Sequence, residues 1–230
     1  MYPPPIFFTH IPKTAGTSFM DSLVRPNVPD EAILHYTDKR QWSMNLTSHH
    51  FVTGHFKHGL HHMFRMPPRY ITFFREPLDR AVSYYFFIKD CDRTLYLHPL
   101  REFADSVDLP TFFQNPRMQN MQTHFTAGYF ASEMHLRFPG LYSGSRLLAA
   151  AKRNLTRHYL AFGLQERFEE SIVLLQKCLG WEKREKVEPQ KKTNVRPLLA
   201  DVSADDLASL TLSNSLDIEL YHHVVQLFPT

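Results

Sequence analysis

With 230 residues, 43% of them hydrophobic, the chain has enough apolar material for one sizeable α/β core, and a single domain over residues 1–230 is expected. A formal charge of +3 is too small for a nucleic-acid-binding protein yet suits anionic ligands, and two cysteines, Cys91 and Cys178, are too few for a disulfide framework. No apolar run reaches membrane-spanning length and no signal-like segment precedes the first strand, so a soluble, cytoplasmic protein with no membrane span is expected.

Residues 6–10 read as a buried strand that Pro12 through Thr17 cannot continue. From Thr17 or Ser18 onward, Phe19, Met20, Leu23 and Val24 share one helical face, so the loop between must deliver the chain into a helix N-terminus. Such a terminus offers unpaired N–H groups and a positive dipole end; Gly16 lets the backbone approach closely, Lys13 adds a full charge, and Thr14, Thr17 and Ser18 add hydroxyl donors. This is a phosphate-gripping layout. It is not a Walker A loop, in which the lysine stands last, after two spaced glycines.

Further along, residues 32–36 read as a second strand, 38–48 as a polar helix-like piece, and 51–53 as a buried strand that Gly54 ends. His55 then lies at a strand's carboxyl end, where open α/β sheets bind ligands. Residues 69–74 form another apolar strand, and Pro77 opens a helix whose face carries Leu78, Ala81, Val82, Tyr85, Phe86 and Ile88. Arg75 at the strand end and Ser83 two turns into the helix make a second candidate phosphate anchor, because a guanidinium offers a planar fork of donors and a hydroxyl adds a neutral bond. Residues 91–144 read as helices and loops covering the site, followed by a helix over 145–157, a strand over 159–162, a helix over 166–179, a charged mobile loop over 182–196, and helices over 204–210 and 216–228. Alternating strands and helices imply an α/β protein with a central parallel sheet.

Six histidines fall between His49 and His62. His58 and His62 share one face if residues 59–64 are helical, but the cluster holds no cysteine or carboxylate and adjacent pairs point to different sides, so no metal is assigned. Apart from His55, these histidines are expected at the surface or in a substrate groove. The Asn-Leu-Thr triplets at Asn45 and Asn154 are read as chance.

The run Pro12-Lys13-Thr14-Ala15-Gly16-Thr17-Ser18 resembles the 5′-phosphosulfate loop of sulfotransferases that use 3′-phosphoadenosine 5′-phosphosulfate (PAPS). Arg75-Glu76-Pro77-Leu78-Asp79-Arg80-Ala81-Val82-Ser83-Tyr84-Tyr85 resembles the 3′-phosphate motif of the family that includes heparan sulfate and uronyl 2-O-sulfotransferases and their bacterial relatives, and Gly54-His55 resembles that family's segment carrying the catalytic base. One ligand with phosphates at both ends explains both anchors. The resemblance, weaker over 151–163 and 166–179, implies a three-layer α/β sandwich around a central parallel sheet, a P-loop-like nucleotide-binding fold, and a PAPS-dependent sulfotransferase releasing 3′-phosphoadenosine 5′-phosphate (PAP) and acting on an acceptor hydroxyl of a carbohydrate such as an anionic glycan. It implies His55 as general base, Lys13 as a catalytic charge, and a donor site of Lys13, Thr14, Ala15, Gly16, Thr17, Ser18, Arg75 and Ser83. Charge and position add Lys191, Lys192 or Arg196 as basic groups closing over the nucleotide. No counterpart of the membrane anchor and stem of the family's animal Golgi enzymes is expected in these 230 residues. Two other classes stay open: a nucleotide phosphotransferase or hydrolase, which needs Mg²⁺ and a carboxylate beside a Walker A loop, and a nucleotide- or glycan-binding module without turnover.

Overall fold

The computed structural model describes residues 4–37, 46, 49–91, 98–185 and 196–229. The polar piece expected over 38–48, most of the loop over 182–196, and with them Lys191, Lys192 and Asn45, lie outside the described residues. Strand β1 (Ile6–Thr9) leads through a loop into α1 (Gly16–Phe19), which widens into a π-helical stretch over Met20–Val24 and closes over Arg25–Asn27. Then come β2 (Ile33–His35), β3 (Phe51–Gly54), α2 (Leu60–Met63), β4 (Tyr70–Phe74) and α3 (Pro77–Asp90). The stretch after α3 holds α4 (Arg101–Ser106), α5 (Leu109–Gln114), α6 (Met121–Ala127) and α7 (Tyr129–Arg137). Helix α8 (Gly144–His158), β5 (Tyr159–Leu164), α9 (Phe168–Leu179), α10 (Ala204–Ser213) and α11 (Ser215–Leu227) complete the chain.

The strands form one sheet in the order β2-β3-β1-β4-β5, and every pairing is parallel, as the alternation of elements required. Both faces are covered, which explains why the strands read as continuous apolar runs. Alternation along each strand divides them: Phe7, Leu34, Val52, Tyr70 and Phe74 meet Ala127, Leu147, Ala151, Leu155, Leu220 and Val224 from α6, α8 and α11. Phe8, Ile33, Phe51, Ile71 and Phe73 turn the other way, onto Phe19, Leu23, Ile172 and Leu175 from α1 and α9. A third cluster packs α3 against α4, α5 and α10 through Val82, Tyr85, Phe112, Phe113 and Leu210. Burying a side chain of this size contributes about 1.5–3 kcal/mol. Because Phe7, Phe8, Phe51, Phe73 and Phe74 are all completely buried, the strand ends are held where the core puts them.

The chain leaves β1 toward the β2 edge, returns as β3, and crosses β1 to become β4. Connections therefore diverge beside the central strand, and the carboxyl ends of β1, β3 and β4 open onto one crevice, the place where such sheets bind ligands. Among the described residues no helix is long and apolar enough to cross a membrane.

Candidate active site

Three strand ends build the crevice. The first is the loop from His10 to Ala15. His10 N–H donates to the Gly54 carbonyl (3.0 Å), tying the loop to the end of β3. Two non-glycine residues, Lys13 and Ala15, both adopt left-handed backbone (φ 68°), a conformation that costs about 1–2 kcal/mol per residue and is tolerated where surrounding structure enforces it. The Thr14 hydroxyl turns inward and donates to the Ile11 carbonyl (2.9 Å), so Thr14 braces the loop and offers the crevice its backbone. Glycine is required at position 16 because a Cβ there would lie 2.2 Å from the His10 ring. No side chain caps the N-terminus of α1, leaving its first N–H groups for a ligand.

The second switch, from β4 into α3, is built differently. Glu76 caps α3 with its own carboxylate, accepting from Leu78 N–H (3.1 Å) and Asp79 N–H (2.7 Å), while Pro77 needs no donor. This terminus is closed to anions, and what it presents is side chains. Arg75, buried, binds the Asp79 carboxylate through Nε (2.9 Å) and Nη2 and the Lys13 carbonyl through Nη1 (3.1 Å), so the two anchors touch. Arg196 also grips Asp79. Burial pushes the Asp79 carboxyl up, but the hydrogen bonds and charges of Arg196 and Arg75 outweigh it and hold the group below its ordinary value. Ser83 is buried two turns into α3.

The third end carries His55, which is exposed. Its Nδ1 lies 2.6 Å from the His10 carbonyl. A carbonyl only accepts, so Nδ1 carries the proton and the neutral ring keeps the Nε2 lone pair for another partner. Lys13 Nζ lies 4.3 Å from the centre of the Phe87 ring, whose far neighbour is His98 (6.3 Å between rings). His98 Nδ1 accepts from Leu100 N–H (3.1 Å); burial, and next to it the charge of His55, pushes its pKa down. Beside the loop, a cleft of about 400 Å³ is lined by Ala15 and Ser18 together with Gln165, Glu166, Arg167 and Phe168.

The loop brings together Lys13, Thr14, Ala15, Gly16, Thr17 and Ser18; Arg75 joins it through the Lys13 carbonyl, His55 through the His10 carbonyl and Arg196 through Asp79, whereas Ser83 lies buried within α3 and Lys192 lies outside the described residues. Sequence reasoning missed Asp79, Phe87, His98 and Gln122. Asp79 had a signal, a carboxylate one helical turn after Arg75. In the rest of the histidine cluster His62 is exposed and His49 and His50 are partly exposed, but His58 and His61 are buried, contrary to the expectation of surface or groove positions. His58 lies outside α2, so it does not share a helical face with His62. It accepts through Nδ1 from Asn154 (3.2 Å) and donates through Nε2 to His158 Nδ1 (3.0 Å). The Tyr70 hydroxyl accepts from His61 N–H (3.0 Å) and gives its proton to His61 Nδ1 (2.9 Å). The same Asn154 amide faces the Thr126 and Ala127 carbonyls (3.0 Å each), so its two hydrogens are shared among three acceptors. Among the described residues no three His, Cys, Asp or Glu side chains are grouped to hold a metal ion.

An α/β sheet with an uncapped strand-to-helix loop and an arginine at the neighbouring strand end is an arrangement whose donors suit phosphorylated ligands. More particularly, the chain belongs to the galactose-3-O-sulfotransferase family, whose model matches residues 33–229. It is 27% identical over 204 residues to a heparin sulfate O-sulfotransferase of Drosophila melanogaster, covering 76% of this chain and 55% of the relative. It is 28% identical to heparan sulfate 2-O-sulfotransferase 1 of Xenopus laevis over 204 residues, covering 76% of this chain and 54% of that protein. The chain therefore spans about half the length of these relatives. Among solved structures, mouse sulfotransferase SULT7A1 complexed with PAP is similar over 94% of this chain and 66% of its own, at 14% identity and a TM-score of 0.41.

Proposed function

We propose that the protein transfers a sulfuryl group from PAPS to a carbohydrate hydroxyl. The observation that carries this reading is the pairing of two unlike phosphate anchors, an uncapped loop and an arginine, joined by the bond from Arg75 to the Lys13 carbonyl (3.1 Å) beside a histidine of fixed tautomer. The donor fits these residues: the N–H groups at the start of α1 and Lys13 suit its 5′-phosphosulfate, Arg75 and Ser83 its 3′-phosphate, and the cleft beside Ser18 and Phe168 its nucleoside. When bound, PAPS supplies the activated sulfuryl group. His55 Nε2 takes the proton of the acceptor hydroxyl, with Nδ1–H anchored on the His10 carbonyl. Lys13, the loop N–H groups, Thr17 and Ser18 stabilise negative charge on the departing phosphate.

An anionic glycan suits the acceptor side. Two residues past His55, Lys57 lies near Glu133 (3.8 Å), and Arg117 (3.8 Å) and Arg137 (3.1 Å) share that same carboxylate, leaving positive charge in excess. The names of the relatives, which are heparan or heparin sulfate enzymes, point to the same class of acceptor.

Calorimetry with PAP and AMP tests the donor assignment. Loss of the 3′-phosphate removes one charge-assisted hydrogen bond to Arg75, worth about 1.5–3 kcal/mol, so AMP should bind roughly ten- to a hundredfold more weakly. Equal affinities would overturn the reading.

A further inference from the structure

We propose that Gln122 is a positioning residue for Arg75, held in place by Asp217 from the C-terminal helix; this rests on the reading of Arg75 as the 3′-phosphate ligand. Arg75 follows the last residue of β4, where the ladder to β5 ends at Phe74 and Leu164. Its backbone nonetheless has a partner. The buried Gln122 side chain accepts from Arg75 N–H through Oε1 (3.0 Å) and donates through Nε2 to the Arg75 carbonyl (2.9 Å). One amide thereby replaces the missing strand neighbour and fixes the residue from which the guanidinium reaches Asp79 and the Lys13 carbonyl.

Gln122 is itself fixed from behind. Asn120, which precedes α6, makes no side-chain cap, and the Asp217 carboxylate of α11 takes that place. It accepts from Gln122 N–H (3.0 Å), Thr123 N–H (2.7 Å) and the Thr123 hydroxyl (2.7 Å). Asn120 Oδ1 returns the favour by accepting from Leu216 N–H (2.9 Å) and Asp217 N–H (3.1 Å). Arg80 is completely buried; its Nη1 reaches only Met121 Sδ (3.4 Å), and Nε and Nη2 have no hydrogen-bond partner among the described residues. Burial pushes the Asp217 carboxyl up and the Arg80 guanidinium down, and each charge opposes the other's shift. A buried guanidinium with idle N–H groups is a costly way to fill space. Here it offsets the carboxylate that caps α6, so the second arginine of the motif acts on the support of Arg75 rather than on the ligand.

The test compares PAP and AMP affinities by calorimetry in Gln122→Met, which keeps the side chain's length but removes both amide bonds, with a thermal melt of each variant. PAP affinity should fall about tenfold, a loss of about 1.4 kcal/mol, while AMP affinity stays within about twofold. Gln122→Glu, which keeps the acceptor for Arg75 N–H and loses the donor, should fall between and serves if Gln122→Met does not fold. In an Arg75→Ala background, Gln122→Met should add no further loss, since the two residues act through one contact. Wild-type PAP affinity in Gln122→Met, or an equal loss for PAP and AMP, would overturn the proposal while Arg75→Ala still loses its preference for PAP. If Arg75→Ala keeps that preference, the ligand assignment fails and the positioning role with it.

Discussion

At the carboxyl end of β3, His55 is exposed, with one ring nitrogen tied to a backbone carbonyl at 2.6 Å and the other without a core partner among the described residues. Three residues on, His58 is buried with both nitrogens engaged, by Asn154 and by His158, and His61 is buried against the Tyr70 hydroxyl. Burial first, and then the charges of neighbouring imidazoles, pushes His58 down to about 3 and His61 to about 4. The Asn154 donor facing His58 Nδ1 reinforces this, because a second ring proton would point at another donor. The contrast separates two uses of one side chain: an imidazole whose second nitrogen faces a crevice can move a proton, and one with both nitrogens spent in the core holds the fold.

The largest effect that would break this comparison is on turnover. His55→Ala should lower the rate at saturation by about 10²–10⁴, the usual worth of a general base, with PAP affinity unchanged by calorimetry. If full turnover survives there and His58→Ala loses it, the two regions have been assigned in reverse. Lys13→Ala, which removes the other charge given to the crevice, should cost on the order of 10²–10³ in rate and leave a folded protein by circular dichroism. On the core side, His58→Ala should destabilise the fold by about 2–5 kcal/mol, as truncation of a buried ring does, with the rate per folded molecule preserved. Denaturant titration alongside active-site titration measures both.

A smaller effect sharpens the comparison through pH. The folded-state values of His58 and His61 lie below that of a free imidazole, so between about 6.5 and those values the unfolded chain binds more protons than the folded one. Their contribution is present above pH 6.5 and is lost as pH falls toward 4 and 3, each group adding a slope of up to about 1.4 kcal/mol per pH unit. In His58→Gln the acid limb of a Tm-versus-pH curve should flatten. The smallest expected effect is that of EDTA on turnover, which should be none, because charge on the departing group is assigned to Lys13 and backbone N–H groups. Complete inhibition reversed by added metal would return the histidine cluster to consideration as a metal site.

Much of this was legible in the chain. Each strand was found as an apolar run, because in a parallel sheet both faces are buried and composition alone marks the segment, although the last one runs through Gly163 to Leu164, two residues beyond the expected end. Lys13, Gly16, His55 and Arg75 were legible because strand ends and breakers fix where a side chain can stand. Helices α6 and α7 were not resolved, for a specific reason: Gln122, Thr123, His124, Thr126 and Ser132 are polar yet buried, and a hydrophobic period cannot see a buried residue that is satisfied by hydrogen bonds. The same blindness hid Asp217, which nothing in 216–228 distinguishes from a solvated helix carboxylate. It also placed His58 and His61 at the surface, since their partners Asn154, His158 and Tyr70 come from α8 and β4, and strand order and long-range pairing are not written in local pattern.

The strand order has a consequence for how the molecule is made. The central strand is synthesised before its hydrogen-bonding partners, which lie in residues 51–54 and 70–72, and β4 in turn waits for β5 at 159–164. Until those arrive, Ile6-Phe7-Phe8 is an apolar segment with unpaired edges on both sides, the kind of sequence that associates with other chains when exposed. Parallel pairing at such separations is intrinsically slow, because each contact must first offset the entropy of closing a long loop. Folding of this domain should therefore benefit from holdase chaperones that shield residues 6–8, and fragments of it ending before residue 70 should accumulate in the insoluble fraction while residues 1–230 do not.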